Sequence, residues 1–168
     1  MPKRARGQDV HVLPNDDDTG TTTWFYNPVD VEWQESRALF LQLEVTGSAA
    51  VAAKNVGIKD LRRAPNVVFP SGMDGNCFYR SISTYICGHQ DAHLTLRQKA
   101  IQHIRRNSDQ FIGVMFGHDD RHGNRKLEQF LARHCRDSVW AETNMILAMS
   151  SLLRTEIVSY APVHMELP

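Results

Sequence analysis

The sequence predicts a single α+β domain, on three observations. A short apolar run, Val67-Val68-Phe69, is closed by Pro70-Ser71-Gly72. Helical spacing of apolar residues then recurs between Cys77 and Leu153. Finally, Ile157-Val158-Ser159-Tyr160 reads as a buried strand cut off by Pro162.

The first of the helices carries Phe78, Ile82, Tyr85 and Ile86 at helical spacing and is ended by Gly88. A second is expected from about Asp91 to Asn107, with Leu94, Ala100, Ile101 and Ile104 facing inward. Residues 108–123 hold glycines and a charged loop, His118-Asp119-Asp120-Arg121-His122-Gly123. A third helix is expected over Arg125 to Cys135 and a fourth from Ala141 to about Leu153. Residues 24–46 are apolar but ambiguous. Trp33, Arg37 and Phe40 share a helix face, whereas Leu39, Leu41, Leu43 and Val45 alternate as in a strand.

Three regions follow: a disordered tail over 1–22, an extension and linker over 23–66, and a domain over 67–168. The chain has 168 residues, with 19 Lys+Arg against 19 Asp+Glu. That balance gives no support for nucleic-acid or membrane-surface partners, which need a net basic field. Lys3, Arg4 and Arg6 can be read as a nuclear address, but three basic residues are a weak signal and a solvated tail is the blander reading. No apolar run reaches membrane-spanning length, and the N-terminus lacks the apolar core of a secretory signal. Three scattered cysteines make no disulfide framework, so a cytoplasmic or nuclear location is expected.

Chemistry concentrates in Asp74-Gly75-Asn76-Cys77. Cys77 is expected in the first turn of a helix, just after a Gly-Asn turn. A helix N-terminus offers free N–H groups and partial positive charge, which favour a thiolate and can face a developing oxyanion. Gly75 lets the backbone approach a substrate closely. These are the features of a cysteine nucleophile on an acyl-transfer platform. The competing reading makes Cys77 a small buried hydrophobe that begins a core helix.

The segment Asp74-Gly75-Asn76-Cys77-Phe78-Tyr79-Arg80-Ser81 resembles the nucleophile motif of the ovarian tumour (OTU) family of cysteine peptidases, many of which remove ubiquitin or ubiquitin-like proteins. The similarity continues through Leu96-Arg97-Gln98-Lys99-Ala100, Asn107 and Phe111, then Trp140-Ala141-Glu142, Ile146-Leu147-Ala148 and Ile157-Val158, about residues 67–160 in all. Upstream, Trp33, Leu39 and Asn55-Val56-Gly57 look like OTU modules of mobile elements.

The resemblance implies a small sheet flanked by helices, Cys77 as nucleophile, and an oxyanion-forming turn from the backbone of Gly75 and Asn76. Asp74 matches an aspartate that in some members holds the catalytic histidine; by itself it is equally a turn or cap residue. It further implies deubiquitinase activity, ubiquitin or a ubiquitin-like protein as partner, and no cofactor or metal.

A thiol peptidase needs a base, which in the family is a late histidine followed by an aromatic residue. The late histidine here, His164, is followed by Met165 and lies close behind the matched strand, so the role is not carried onto it. The domain is therefore expected to be incomplete at its C-terminal strands, as a truncated product, a fragment or an inactive relative. The alternative function is a catalytically inactive module that binds ubiquitin or another protein.

Other residues take blander roles. His118 and His122 have the spacing of metal ligands on a helix but sit in a charged loop. His89 and His93 are expected to be exposed, His103 to lie near the polar side of its helix, and His134 and Cys87 to be structural. Trp140 is expected as a core anchor at a helix start, with Glu142 in the favourable field of that first turn.

Overall fold

The computed structural model describes residues 30–46 and 70–157. Among these there are six helices: α1 (Val31–Leu41), α2 (Cys77–Cys87), α3 (His93–Arg106), α4 (Ser108–Phe116), α5 (Gly123–His134) and α6 (Thr143–Leu153).

The α+β expectation, with its small sheet flanked by helices, is overturned: the described residues form helices and no strand. Leu39 and Leu41, half of the alternating set, lie inside α1. Ile157 packs its side chain against the helical core rather than entering a ladder. A strand forms only where a second strand accepts its hydrogen bonds, and alternation or β-branching cannot supply that edge. Val67-Val68-Phe69 and residues 158–160 lie outside the described residues.

Helix α1 starts at Asp30, whose side chain accepts the Trp33 N–H at 2.8 Å, and ends at Gln42 in the left-handed region. It buries Gln34, Ala38 and Leu41, while Leu39 and Phe40 are 80% and 61% exposed. The apolar count of this stretch therefore misleads, because Leu39 and Phe40 face outward while Trp33 and Leu41 pack on the core. Helix α2 stops at Gly88, at φ 82°, whose N–H donates to the Thr84 carbonyl. The sequence places that stop correctly, since a left-handed residue closes a helix at least cost when it has no Cβ.

Helix α3 is the centre of the assembly and packs against α2, α4 and α6, with α1 on α2 and α5 on α4. Its buried residues are Leu96, Arg97, Ala100, Ile101 and Ile104. With Tyr79 and Ile86 of α2, Leu131 of α5, and Met145, Met149 and Leu153 of α6, they form a continuous core. Helix α4 occupies residues expected as a loop. Gly113 and Gly117 masked it, although Phe111, Ile112, Met115 and Phe116 recur at helical spacing. Helices α3, α5 and α6 start or end within a few residues of the expected positions.

Candidate active site at the start of α2

Cys77 is the first residue of α2 and is half-buried. Asn76 stands at the cap position without a side-chain capping bond, so the first N–H groups of the helix stay open. Gly75 has φ 78°, and a Cβ there would overlap the Ser138 carbonyl. Glycine is needed twice over, for the left-handed backbone and for the close approach of the loop that carries Ser138.

Asp74 is held by three donors. Arg80 donates from Nη2 to Oδ2 at 2.6 Å and from Nε to Oδ2 at 3.1 Å, and the Asn76 N–H donates to Oδ1 at 3.0 Å. The Arg80 guanidinium, then the Asn76 N–H, hold the Asp74 carboxyl well below the usual carboxylate range. The same bond takes up the Asn76 N–H. Among the described residues the N–H groups of Gly75 and Cys77 donate to no partner, and no histidine hydrogen-bonds the Cys77 thiol.

The Asn76 side chain is buried between opposite charges. Its Nδ2 donates to Asp137 Oδ1 at 2.7 Å, and its Oδ1 accepts from Arg97 Nη2 at 2.7 Å. Arg97 is fully buried and lies 4.3 Å over the Tyr79 ring. It also donates to the carbonyls of His134 at 3.0 Å, Gly75 at 3.2 Å and Val139 at 2.6 Å. Burial pushes the Tyr79 hydroxyl up to about 12. The Asn76 amide and then the Ser138 N–H hold the Asp137 carboxyl below its ordinary value.

Cys87, at the other end of α2, is fully buried, and that burial pushes its thiol up. His134 is also fully buried; desolvation lowers its pKa, although Glu142 lies 3.5 Å away. Trp140 is not the expected core anchor and is 60% exposed. It precedes α6 in the chain, so no helix face turns it inward. Glu142 is the cap residue of α6 and pairs with Arg133 at 3.0 Å. His89 and His93 are half-buried, with the His93 Nδ1 on the Gln90 carbonyl. His103 reaches Ser151 Oγ at 3.0 Å. His118 packs its ring beside Gly113, and the His122 N–H donates to Asp120. His164 lies outside the described residues.

Sequence reasoning missed Arg97 and Asp137 at this site. Arg97 left a signal: it occupies the same helix stripe as Ala100, Ile101 and Ile104, where a guanidinium must find several acceptors. Asp137 left none, because it reaches Asn76 across 61 positions of sequence.

The family model for OTU-like cysteine proteases matches residues 72–165, more than half of the chain, and the chain belongs to that family. It is 29% identical over 99 residues to OTU domain-containing protein 1 of Mus musculus and, equally, to that of Homo sapiens. The matched region is 59% of this chain and about a fifth of each relative (20% and 19%). No solved structure matches the chain significantly.

Proposed function

We propose that this protein is a cysteine-type deubiquitinase that cleaves isopeptide bonds of ubiquitin or a ubiquitin-like modifier through Cys77. The observation that carries this reading is the half-buried thiol at the first residue of α2, below an uncapped helix N-terminus. That helix start presents open N–H groups and a partial positive charge beside the sulfur. The thiolate attacks the isopeptide carbonyl, and the N–H groups of Cys77 and Gly75 receive the oxyanion. Collapse expels the lysine amine, which takes a proton from solvent water, and leaves a thioester on Cys77. Water hydrolyses it to free carboxylate and thiol. Asn76 contributes through its side chain, since its N–H serves Asp74.

A second reading, a module that docks ubiquitin without cleaving it, is favoured by one observation: no histidine among the described residues hydrogen-bonds Cys77. Ubiquitin with a C-terminal electrophile separates the two. The enzyme reading expects labelling of Cys77 that disappears in Cys77→Ala, together with turnover of ubiquitin chains. Saturable binding with neither labelling nor turnover establishes the docking module and overturns the enzyme.

A further inference from the structure

We propose that Arg97 and Asp137 are positioning residues for the reaction at Cys77, acting through Asn76 and the Gly75 carbonyl to aim the N–H groups of the turn. The inference rests on the cysteine-protease reading above.

The geometry starts from a planar peptide. Arg97 Nη2 holds the Gly75 carbonyl oxygen at 3.2 Å, so the N–H of the same peptide, which belongs to Asn76, must point the opposite way. There it meets Asp74 Oδ1. The next peptide is held by its own carbonyl, since Asn76 O accepts the Arg80 N–H at 2.9 Å. Its N–H is that of Cys77, which is thereby directed out of the helix start. The Asn76 side chain, gripped by Arg97 and Asp137 on its two ends, prevents the residue between these peptides from turning.

The grip answers a weakness in the sequence. Gly75 rotates more freely than any other residue type, and its left-handed φ leaves the turn without the restraint that a Cβ supplies elsewhere. Ser138, beside it, also sits at positive φ (61°), a conformation that a serine keeps only when its surroundings impose it. The Ser138 N–H donates to Asp137 Oδ1, the same oxygen that accepts from Asn76. One carboxylate thus joins the strained loop to the catalytic turn. Helix α3 could have filled position 97 with an aliphatic side chain, as at Leu96 and Ile101. It instead buries a cation whose acceptors are the turn, the last residue of α5 and the loop after it. The hydrogen bonds of Arg97 and Asp137 reach Asn76, Gly75 and the neighbouring loop rather than Cys77 itself, so their effect must pass through the turn.

The test uses the full chain and the variants Asp137→Asn, Asp137→Ala and Arg97→Lys. Turnover is read on ubiquitin carrying a C-terminal fluorogenic amide. Alkylation of Cys77 by iodoacetamide serves as a reaction that forms no oxyanion. Asp137→Ala should lower kcat about tenfold to hundredfold, short of the about 10²–10³ expected for deleting an oxyanion donor. KM and the alkylation rate should stay within about twofold, because ground-state binding and the thiolate are untouched. Asp137→Asn keeps an acceptor for the Asn76 amide and should recover part of the loss; Arg97→Lys, with one donor group in place of a fork, should resemble Asp137→Ala.

Equal falls in kcat and alkylation, or an unchanged kcat, overturn the proposal. If the unsubstituted chain turns nothing over, the deubiquitinase reading fails separately, and amide resonances decide. In Asp137→Ala the Gly75, Asn76 and Cys77 signals should move while Ile101 and Leu131 stay. Unmoved turn signals overturn the clamp.

Discussion

Helix α2 begins and ends with a cysteine, and the two ends are built in opposite ways. At the C-terminal end the Gly88 N–H donates to the Thr84 carbonyl, Gln34 Nε2 to the Ile86 carbonyl, and the Thr46 N–H to the Cys87 carbonyl. The carbonyls of Thr84, Ile86 and Cys87 thus have partners, and Cys87 is sealed in the core with its thiol pushed up by burial. At the N-terminal end no side chain caps the helix, and Cys77 stays half-open. The same residue type is sealed at one end and left half-open beside an uncapped helix start at the other. The helix field adds to the contrast, since it opposes a thiolate among carbonyls and favours one among N–H groups. What sets the two cysteines apart is the polar groups left unsatisfied around Cys77.

The sharpest break of that contrast is selective alkylation. Iodoacetamide should modify Cys77 at least about 10³ times faster than Cys87, because a sealed thiol reacts only through opening events near the global unfolding free energy. Peptide mass spectrometry over a time course reads the ratio; similar rates would mean that the two ends are equally open.

Next in size is Gly75→Ala. The left-handed φ and the overlap with the Ser138 carbonyl should cost about 2–3 kcal/mol in urea denaturation and remove labelling of Cys77 by the ubiquitin electrophile. A variant that labels normally would show that the turn is not needed.

Exchanging the cysteines one at a time should dissociate stability from chemistry. Cys87→Ala removes a fully buried sulfur and should cost about 1 kcal/mol while leaving Cys77 reactive. Cys77→Ala should end labelling and change the denaturation midpoint little.

The smallest effect is pH-dependent and belongs to the Cys77 end, where the His134 carbonyl is held by Arg97. Desolvation lowers the pKa of His134, with help from the charges of Arg133 and Arg97 and against Glu142. The unfolded chain therefore binds a proton that the folded chain resists, and stability falls as pH drops below the ordinary histidine value of about 6.5. The melting temperature should decline between about pH 7.5 and about pH 5.5. His134→Gln should flatten that slope only in part, because burial lowers His103 in the same direction. An unaltered slope would remove His134 from the account.

Legibility followed the range of the interactions. The start of α2 at Cys77 and its stop at Gly88 were readable, because turn residues and glycine caps act within a few positions. The stripe of α3 was readable from its period at Ala100, Ile101 and Ile104 but not at Leu94, which is exposed. Helix α4 could have been read from Phe111, Ile112, Met115 and Phe116 had its glycines not been weighted above its spacing. The outward aim of Phe40 and Trp140 could not, since exposure depends on which neighbours arrive. For the site, Cys77, Gly75, Asn76 and Asp74 lie within one tetrapeptide, and their assembly around one turn follows from adjacency.

By itself the sequence determined where a cysteine meets a helix N-terminus, and hence which sulfur has a stabilising field, because that field is made by the residues next to it. Only the tertiary structure decided how the turn is held. Arg97 comes from α3, Asp137 and Ser138 from the loop after α5, and both converge on Asn76 and Gly75. A buried guanidinium and a carboxylate reach across an amide only when packing has already brought their helices together, and no local pattern encodes that meeting.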